Sequence, residues 1–266
     1  FEGFHRGVQI ALALCRQCFV DVAAVTVQIG IDGNGVFLRE AGVPQEHNNI
    51  VIVDADVAGD VTGQCCRCCP IESAEEIAKR QRNESLLLVS EYAGKFFKES
   101  LQTPEGQAVG YQYFRSRGLT DQTIAEYGLG WGPIERTALA DKARSEGYKE
   151  EFLTETGVCI KYDNGRLVDR FSDRVIFPIH AVTGRVIGFG GRTLKTDKSV
   201  AKYQNSPTSE IYDKRHTLYG IYFAKNEISR QDKCILVEGY LDVLSMHQLG
   251  ITNVVASSGT SLTVEQ

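Results

Sequence analysis

The chain has 266 residues, 42% of them hydrophobic and 24% charged. That balance excludes a disordered or fibrous polypeptide and leaves room for one large or two small cored domains. The 29 basic and 34 acidic side chains give a formal net charge of −5, so bulk charge announces no nucleic-acid partner, although a near-neutral segment can still gather its basic groups on one face. No apolar run approaches the ~20 residues of a membrane span. The start, Phe1-Glu2-Gly3-Phe4-His5-Arg6, has neither an initiator Met nor a basic leader before an apolar core, which predicts no signal peptide and a fragment at both ends.

Residues 1–70 differ in kind from the rest. They carry four Arg, no Lys, eight acids, eleven Val and six of the eight Cys, and show no sustained period. Residues 20–31 and 50–57, rich in β-branched side chains, are the predicted strands. The pair Cys15 and Cys18 with the run Cys65-Cys66-Arg67-Cys68-Cys69 has zinc-like spacing, but lacks the glycine and aromatic surroundings of a knuckle. Free thiols, or a segment that is not a native fold, are the alternatives.

From Ser73 the pattern becomes regular. Glu75 and Glu76 sit in the first turn of a predicted helix, whose apolar face is Leu86, Leu87, Val89, Tyr92, Ala93, Phe96 and Phe97. Residues 101–106 read as a Pro/Gly turn. Helices are then predicted over 108–117, stopped by Gly118, and 120–127, with Thr120 as N-cap and Gly128 as C-cap. Residues 129–170 read as a connection with short helices over 136–146 and 149–154 and a turn at Asp163-Asn164-Gly165. Strands over 174–179 and 186–189 flank the turn Val182-Thr183-Gly184-Arg185, a hairpin. Gly190-Gly191 then suits either a close approach of nucleic acid or a β-bulge. Residues 202–207 read as a loop and 220–229 as a helix. Strand 235–237, a helix ending at Gly250 and strand 251–256 complete a strand–helix–strand unit, and Gly259-Thr260 opens a further helix whose N-terminus favours anions.

Two stretches carry chemistry. Glu238 stands at the carboxyl end of a strand, with Asp242 one helical turn on. Such oxygen ligands suit Mg²⁺, which takes one or two protein carboxylates, and strand ends of this kind are where open α/β sheets place ligands. An ordinary strand–helix–strand unit with a solvated acid is the equal alternative. The second stretch, 166–215, interleaves ten Arg and Lys with tyrosines. Cations neutralise phosphates and rings stack on bases, although on composition alone a solvated polar face of a sheet is the better explanation.

Three blocks then appear in an order that resembles the bacterial replicative DNA primases of the DnaG type. The first is Tyr113-Phe114-Arg115-Ser116-Arg117-Gly118-Leu119-Thr120. The second runs from Asp173-Arg174-Val175-Ile176-Phe177-Pro178 through Gly188-Phe189-Gly190-Gly191-Arg192 to Lys202-Tyr203-Gln204-Asn205-Ser206-Pro207, with Asp213-Lys214. The third is Val237-Glu238-Gly239-Tyr240-Leu241-Asp242 with Ser257-Ser258-Gly259-Thr260. The resemblance covers about residues 71–266.

It implies an α/β chain: a mixed, basic core subdomain over 71–229, followed by the start of a Toprim fold over 230–266, with 1–70 unassigned. It implies Glu238 as the catalytic glutamate, Glu238 and Asp242 as metal ligands, and Arg117, Arg174, Arg192, Lys202, Tyr203, Asn205 and Lys214 around template and nucleotide, with Gly259 and Thr260 near phosphate. The implied cofactor is Mg²⁺ or Mn²⁺. The family's zinc ribbon is not recognisable here, which suggests that residues 1–70 come from outside a primase frame. The implied partners are single-stranded DNA, ribonucleoside triphosphates and, through a tail absent here, a replicative helicase, in the bacterial cytoplasm at replication forks and with no membrane. The family's Asp-x-Asp metal motif is expected past Gln266, so the fragment is expected to be inactive alone. The competing readings are another Toprim protein, such as a topoisomerase or nuclease, and a non-catalytic module that binds single-stranded DNA.

Overall fold

The computed structural model describes residues 27–32, 35–40, 73–197, 200–257 and 263. The chain divides into two compact units, Phe1–Ser73 and Ala74–Gln266. In the first, strands β1 (Val27–Asp32) and β2 (Gly35–Glu40) pair antiparallel, Val27 opposite Glu40 and Asp32 opposite Gly35. The expected strand over 20–31 overlaps β1. The one over 50–57, and the six cysteines from Cys15 to Cys69, lie outside the described residues.

The second unit opens with helix α1 (Ala74–Ser100), acidic in its first turn. Its predicted apolar stripe buries Leu86, Val89, Ala93, Phe96 and Phe97. The expected turn at 101–106 is shorter than the sequence suggests. Thr103 Oγ1 accepts the Gly106 N–H, Pro104 stands in the first helical turn, where its missing N–H is no loss, and α2 (Pro104–Gly106) runs on through a π-helical turn (Gln107–Tyr111) into α3 (Gln112–Ser116). Gly118, at φ 81°, ends the helix as expected. Thr120 caps α4 (Asp121–Glu126), accepting the Thr123 N–H at 3.2 Å.

A four-stranded sheet in the order β3-β6-β7-β8 lies at the centre. It comprises β3 (Gly130–Gly132), β6 (Arg174–His180), β7 (Val186–Thr193) and β8 (Tyr203–Asn205), all antiparallel. Both faces are covered, which is why 175–179 reads as an unbroken apolar run rather than an alternation. Val175, Phe177 and Ile179 join one core cluster and Ile176 joins the other, with Phe97, Phe171 and Phe189. Phe97 meets Phe189 edge to face at 5.3 Å. Helix α5 (Ala138–Ser145) falls inside its predicted span and α6 (Glu150–Glu155) runs one residue past its own, and between them and β6 lies the hairpin β4 (Cys159–Lys161) with β5 (Leu167–Asp169).

A second sheet, in the order β10-β11-β9, pairs β10 (Ile235–Val237) parallel with β11 (Val254–Ser257), while β9 (Leu218–Tyr219) joins β11 antiparallel. Helices α7 (Ile221–Gln231) and α8 (Tyr240–Gln248) complete the predicted strand–helix–strand order. Tyr240, Val243 and Leu244 of α8 enter the same core cluster as Phe114 and Phe177, so the two sheets share one hydrophobic interior. Gln248 clamps the far end of α8. Its Oε1 accepts the Thr120 N–H at 2.8 Å and the Thr123 hydroxyl at 2.9 Å, and its Nε2 donates to Gly118 O at 2.9 Å. Beside it, buried His247 donates through Nε2 to Val254 O at 2.8 Å and accepts the Tyr127 hydroxyl at Nδ1. Burial holds the His247 pKa below its ordinary value, so the neutral ring fits this pair of partners.

Candidate nucleic-acid and metal site

Tyr113 and Arg117 are four residues apart, so one helical turn sets them on the same face. The Arg117 guanidinium carbon lies 5.3 Å from the Tyr113 ring centre, and that of Arg192 lies 4.6 Å from it. Arg192 comes from β7. Its partner across the ladder is Tyr203 on β8, whose ring centre is 5.9 Å from the same guanidinium. Such cation–ring contacts leave the guanidinium charge in place, and among the described residues neither arginine is ion-paired to a carboxylate. Arg185 and Arg82, by contrast, are compensated: Arg185 bonds Glu91 and Glu84, and Arg82 bonds Glu155 and Glu151. Arg117 is exposed, Arg192 half-buried, and Tyr203 43% exposed. The cluster therefore offers two uncompensated cations beside an accessible ring.

The expected loop at 202–207 contains strand β8, where Tyr203 pairs with Arg192, Gln204 with Gly191 and Asn205 with Gly190. A three-residue strand has no room to display alternation, which is why it read as a loop. Its period of two turns Tyr203 and Asn205 to one face, and that face meets Tyr240. The rings of Tyr203 and Tyr240 are 6.2 Å apart, and the Tyr240 hydroxyl donates to Asn205 Oδ1 at 2.9 Å. Tyr240 stacks on Phe177 at 5.2 Å and meets Tyr219 at 4.5 Å. Burial raises its hydroxyl pKa far above the usual tyrosine value, so it remains a donor at any physiological pH.

The two glycines read as a nucleic-acid approach or a bulge serve the interior instead. A Cβ on Gly190 would stand 2.4 Å from the Tyr240 ring, and one on Gly191 2.7 Å from the Phe171 ring. The register irregularity of this hairpin falls at Ile179 and His180, away from both.

Glu238 and Asp242 are both exposed. Glu238 follows the last residue of β10. Asp242 lies on the first turn of α8, where its Oδ2 accepts the Gly239 N–H at 3.0 Å. One carboxylate oxygen thus caps the helix and the other points elsewhere. Exposed, hard oxygen donors fit a divalent cation such as Mg²⁺ in kind. They are two, and no group of three His, Cys, Asp or Glu placed to hold a metal occurs among the described residues.

The remaining expected residues are placed differently. Lys202 and Lys214 are exposed. Arg174 is buried, 6% exposed, with Nη1 donating to Ala201 O at 3.1 Å and Gly191 O at 3.5 Å. Its charge is turned inward onto backbone carbonyls, and burial lowers its pKa. It braces the strand that carries Arg192 and does not join the surface cluster. Gly259 and Thr260 lie outside the described residues. Tyr113 and Tyr240 were not among the expected site residues. The i, i+4 spacing of Tyr113 and Arg117 was the available signal for the first. For the second it was the aromatic immediately after Glu238-Gly239, opposite a strand of glycines. Two surface recesses, of about 270 and 340 Å³, lie apart from this cluster, one lined by Thr120 and His247 among others, the second by Leu101 and Tyr111. The cluster is an open face, suited to a polymer more than to an enclosed small molecule.

Comparison with known proteins agrees with this layout. A family model described as the DNA primase catalytic core, N-terminal domain, matches residues 96–225, and a Toprim-like model matches residues 235–266. A DNA primase of Synechococcus elongatus is 35% identical over 241 residues, 89% of this chain and 34% of that protein. Because 71–266 is shorter than that stretch, the likeness reaches into the first seventy residues. A DNA primase of Deinococcus radiodurans is 41% identical over 184 residues, 69% of this chain and 31% of that protein. The chain spans about a third of the length of these curated relatives. Among solved structures, the RNA polymerase domain of Mycobacterium tuberculosis primase DnaG, in complex with a double-stranded DNA oligomer with a 6-nucleotide overhang, is similar with a TM-score of 0.65 and 34% identity, over 68% of this chain and 56% of that one. A DnaG primase catalytic domain bound to single-stranded DNA is similar with a TM-score of 0.63 and 36% identity, over 70% and 59%.

Proposed function

We propose, for a chain that belongs to the DnaG-type bacterial DNA primase family, that it carries the template-binding face and the first metal-site carboxylate of a primase that makes short RNA primers on single-stranded DNA. The observation that carries this reading is the pair of guanidiniums, Arg117 and Arg192, both set over the Tyr113 ring and neither paired with a carboxylate among the described residues, with Tyr203 accessible beside them. Arginines neutralise backbone phosphates, and an exposed ring stacks on a base irrespective of its sequence. Lys202 and Lys214 extend the same basic surface, and Arg174 supports it from beneath.

The domain division we propose is a basic core subdomain over 71–229 and the start of a Toprim fold over 230–266. In the reaction, a primer 3′-hydroxyl attacks the α-phosphate of an incoming ribonucleoside triphosphate and pyrophosphate leaves. Glu238 and Asp242 would hold a divalent cation, Mg²⁺ or Mn²⁺, which when bound offsets the negative charge that develops on the phosphate oxygens. This chain's own residues hold the template by its phosphates and orient its bases. A replicative helicase is the proposed protein partner, and the bacterial cytoplasm the proposed location; no described helix is long and apolar enough to cross a membrane.

A narrower reading, that this 266-residue chain binds template without extending primers, is favoured by the pair of carboxylates standing without a third acidic, His or Cys ligand among the described residues. Primer synthesis by the purified chain would overturn it. The block at 96–225 disfavours a topoisomerase or nuclease, because a Toprim fold alone does not require it.

The test is fluorescence anisotropy with a labelled single-stranded oligonucleotide across a salt series. Binding is expected to weaken with salt, and Arg117→Ala or Arg192→Ala should each lower the slope of log affinity on log salt by about 0.7, the value for one phosphate contact on a single strand. Charge reversal at Lys202 and Lys214 should weaken binding. Unchanged affinity and slope in all four variants would remove the basic-face assignment.

A further inference from the structure

We infer that Tyr240 is a positioning residue, whose hydroxyl bond to Asn205 ties the place of the Glu238 carboxylate to the strand that meets the template; this rests on the roles proposed above for Glu238 and Tyr203.

Glu238 is exposed, and no other described side chain bonds or pairs with it. Its place is therefore set by the backbone of the turn 238–240. At one end that turn leaves β10. At the other it enters α8 through Tyr240, which is 7% exposed. Tyr240 lies in a slot bounded by the stacked ring of Phe177, the T-shaped contact of Tyr219 and, near its hydroxyl end, the bare α-carbon of Gly190. Its hydroxyl emerges at Asn205 Oδ1, 2.9 Å away.

Asn205 stands two residues from Tyr203 on the same face of β8. It also pairs with Gly190 across the ladder, as Tyr203 does with Arg192. A base on Tyr203, or a phosphate on Arg192, thus bears on a three-residue strand whose next contact inward is the Tyr240 hydroxyl. The opposite end of α8 is held separately by Gln248 on Thr120, Thr123 and Gly118. The helix therefore has an independent anchor at its far end and a template-facing one at its near end.

Amide hydrogen exchange of the 266-residue chain, read at Gly239 with and without saturating oligothymidylate, tests the inference. Tyr240→Phe keeps the ring and its packing and removes the hydroxyl. Its Gly239 exchange is expected to quicken about fivefold, the order set by one lost hydrogen bond. Oligothymidylate should slow Gly239 exchange in the parent chain and not in Tyr240→Phe. Asn205→Asp, which keeps an acceptor for the hydroxyl, should restore the response where Asn205→Leu does not. Gln248→Ala should lower thermal stability and leave the Gly239 response intact, a separation that a merely structural role for Tyr240 would not produce. Equal protection of Gly239 by oligothymidylate in the parent and Tyr240→Phe overturns the inference while leaving the template-binding reading standing. Absence of any anisotropy change with the parent chain removes the template-binding reading, and the inference with it.

Discussion

The α-carbon of Gly190 faces the ring of Tyr240 so closely that a Cβ at Gly190 would stand 2.4 Å from ring carbon Cε2. One residue on the central sheet and one on helix α8 of the second sheet thus share a single van der Waals gap. A flexible side chain can move out of such a contact, but a ring stacked on Phe177 and packed edge to face with Tyr219 cannot do so without disturbing both.

Gly190→Ala is therefore expected to destabilise the unit by ~1–3 kcal/mol, the usual cost of overpacking a filled core. Gly94→Ala is the matched control. It lies inside α1, and its added Cβ would meet Phe189 and Val186 side chains at 3.8 Å, an ordinary contact. It is expected to stabilise by ~0.5–1 kcal/mol through helix propensity. Thermal unfolding of the two variants should move in opposite directions. A shared direction would mean that the Gly190 gap is not as filled as the structure has it.

Asp169 gives a pH dependence whose sign follows from its surroundings. Its carboxylate accepts the Leu139 and Ala140 N–H groups at 2.8 and 2.9 Å, capping α5 from a neighbouring strand. Burial nonetheless raises its pKa to about 6, from an ordinary 3.8, and outweighs those two bonds. The folded chain thus holds a proton that the unfolded chain releases between pH 3.8 and about 6, so this group favours folding at low pH and loses that contribution as pH rises through the window. The full swing is about 3 kcal/mol at 1.36 kcal/mol per pK unit. Asp169→Asn removes the titrating group. Its urea midpoint should vary less between pH 4 and pH 6 than that of the parent. Equal slopes would show that Asp169 titrates normally in the folded chain.

Gln248 makes three hydrogen bonds to the α3–α4 region from an exposed position. Gln248→Ala is expected to cost ~1–2 kcal/mol, less than three buried bonds would, because water replaces part of what is lost. Urea denaturation followed by tyrosine fluorescence measures it, and a change within ~0.5 kcal/mol, the range of ordinary surface substitutions, would show that α8 is held by its apolar face alone.

The longer elements were legible because each advertised itself. Helix α1 carried its stripe, α4 its Thr120 and Gly128 caps, and the β6–β7 hairpin its turn. Strands β3, β4, β5, β8 and β9 were not, since two or three residues cannot show a period. Their existence depends on partners far along the chain, as when β9 is defined only by pairing with β11. For the candidate site, residue type served better than position. Arg117, Arg192, Tyr203 and Asn205 do converge, but a basic residue in a basic block also included Arg174, which faces inward. The glycines at 190 and 191 were visible as glycines, while the rings they make way for were 50 and 20 residues away in sequence.

The pairing of Leu218 and Tyr219 with Ser257 and Ala256 has a consequence for how such chains exchange parts. A recombination joint at residue 230 would hand on β10, α8 and β11 while leaving their third strand behind. A joint placed before Leu218 would transfer the sheet whole, yet the incoming tyrosine at 240 would still need a glycine waiting at 190. The two modules are thus expected to be inherited together, and a lineage that enlarges residue 190 should be found to have shrunk residue 240.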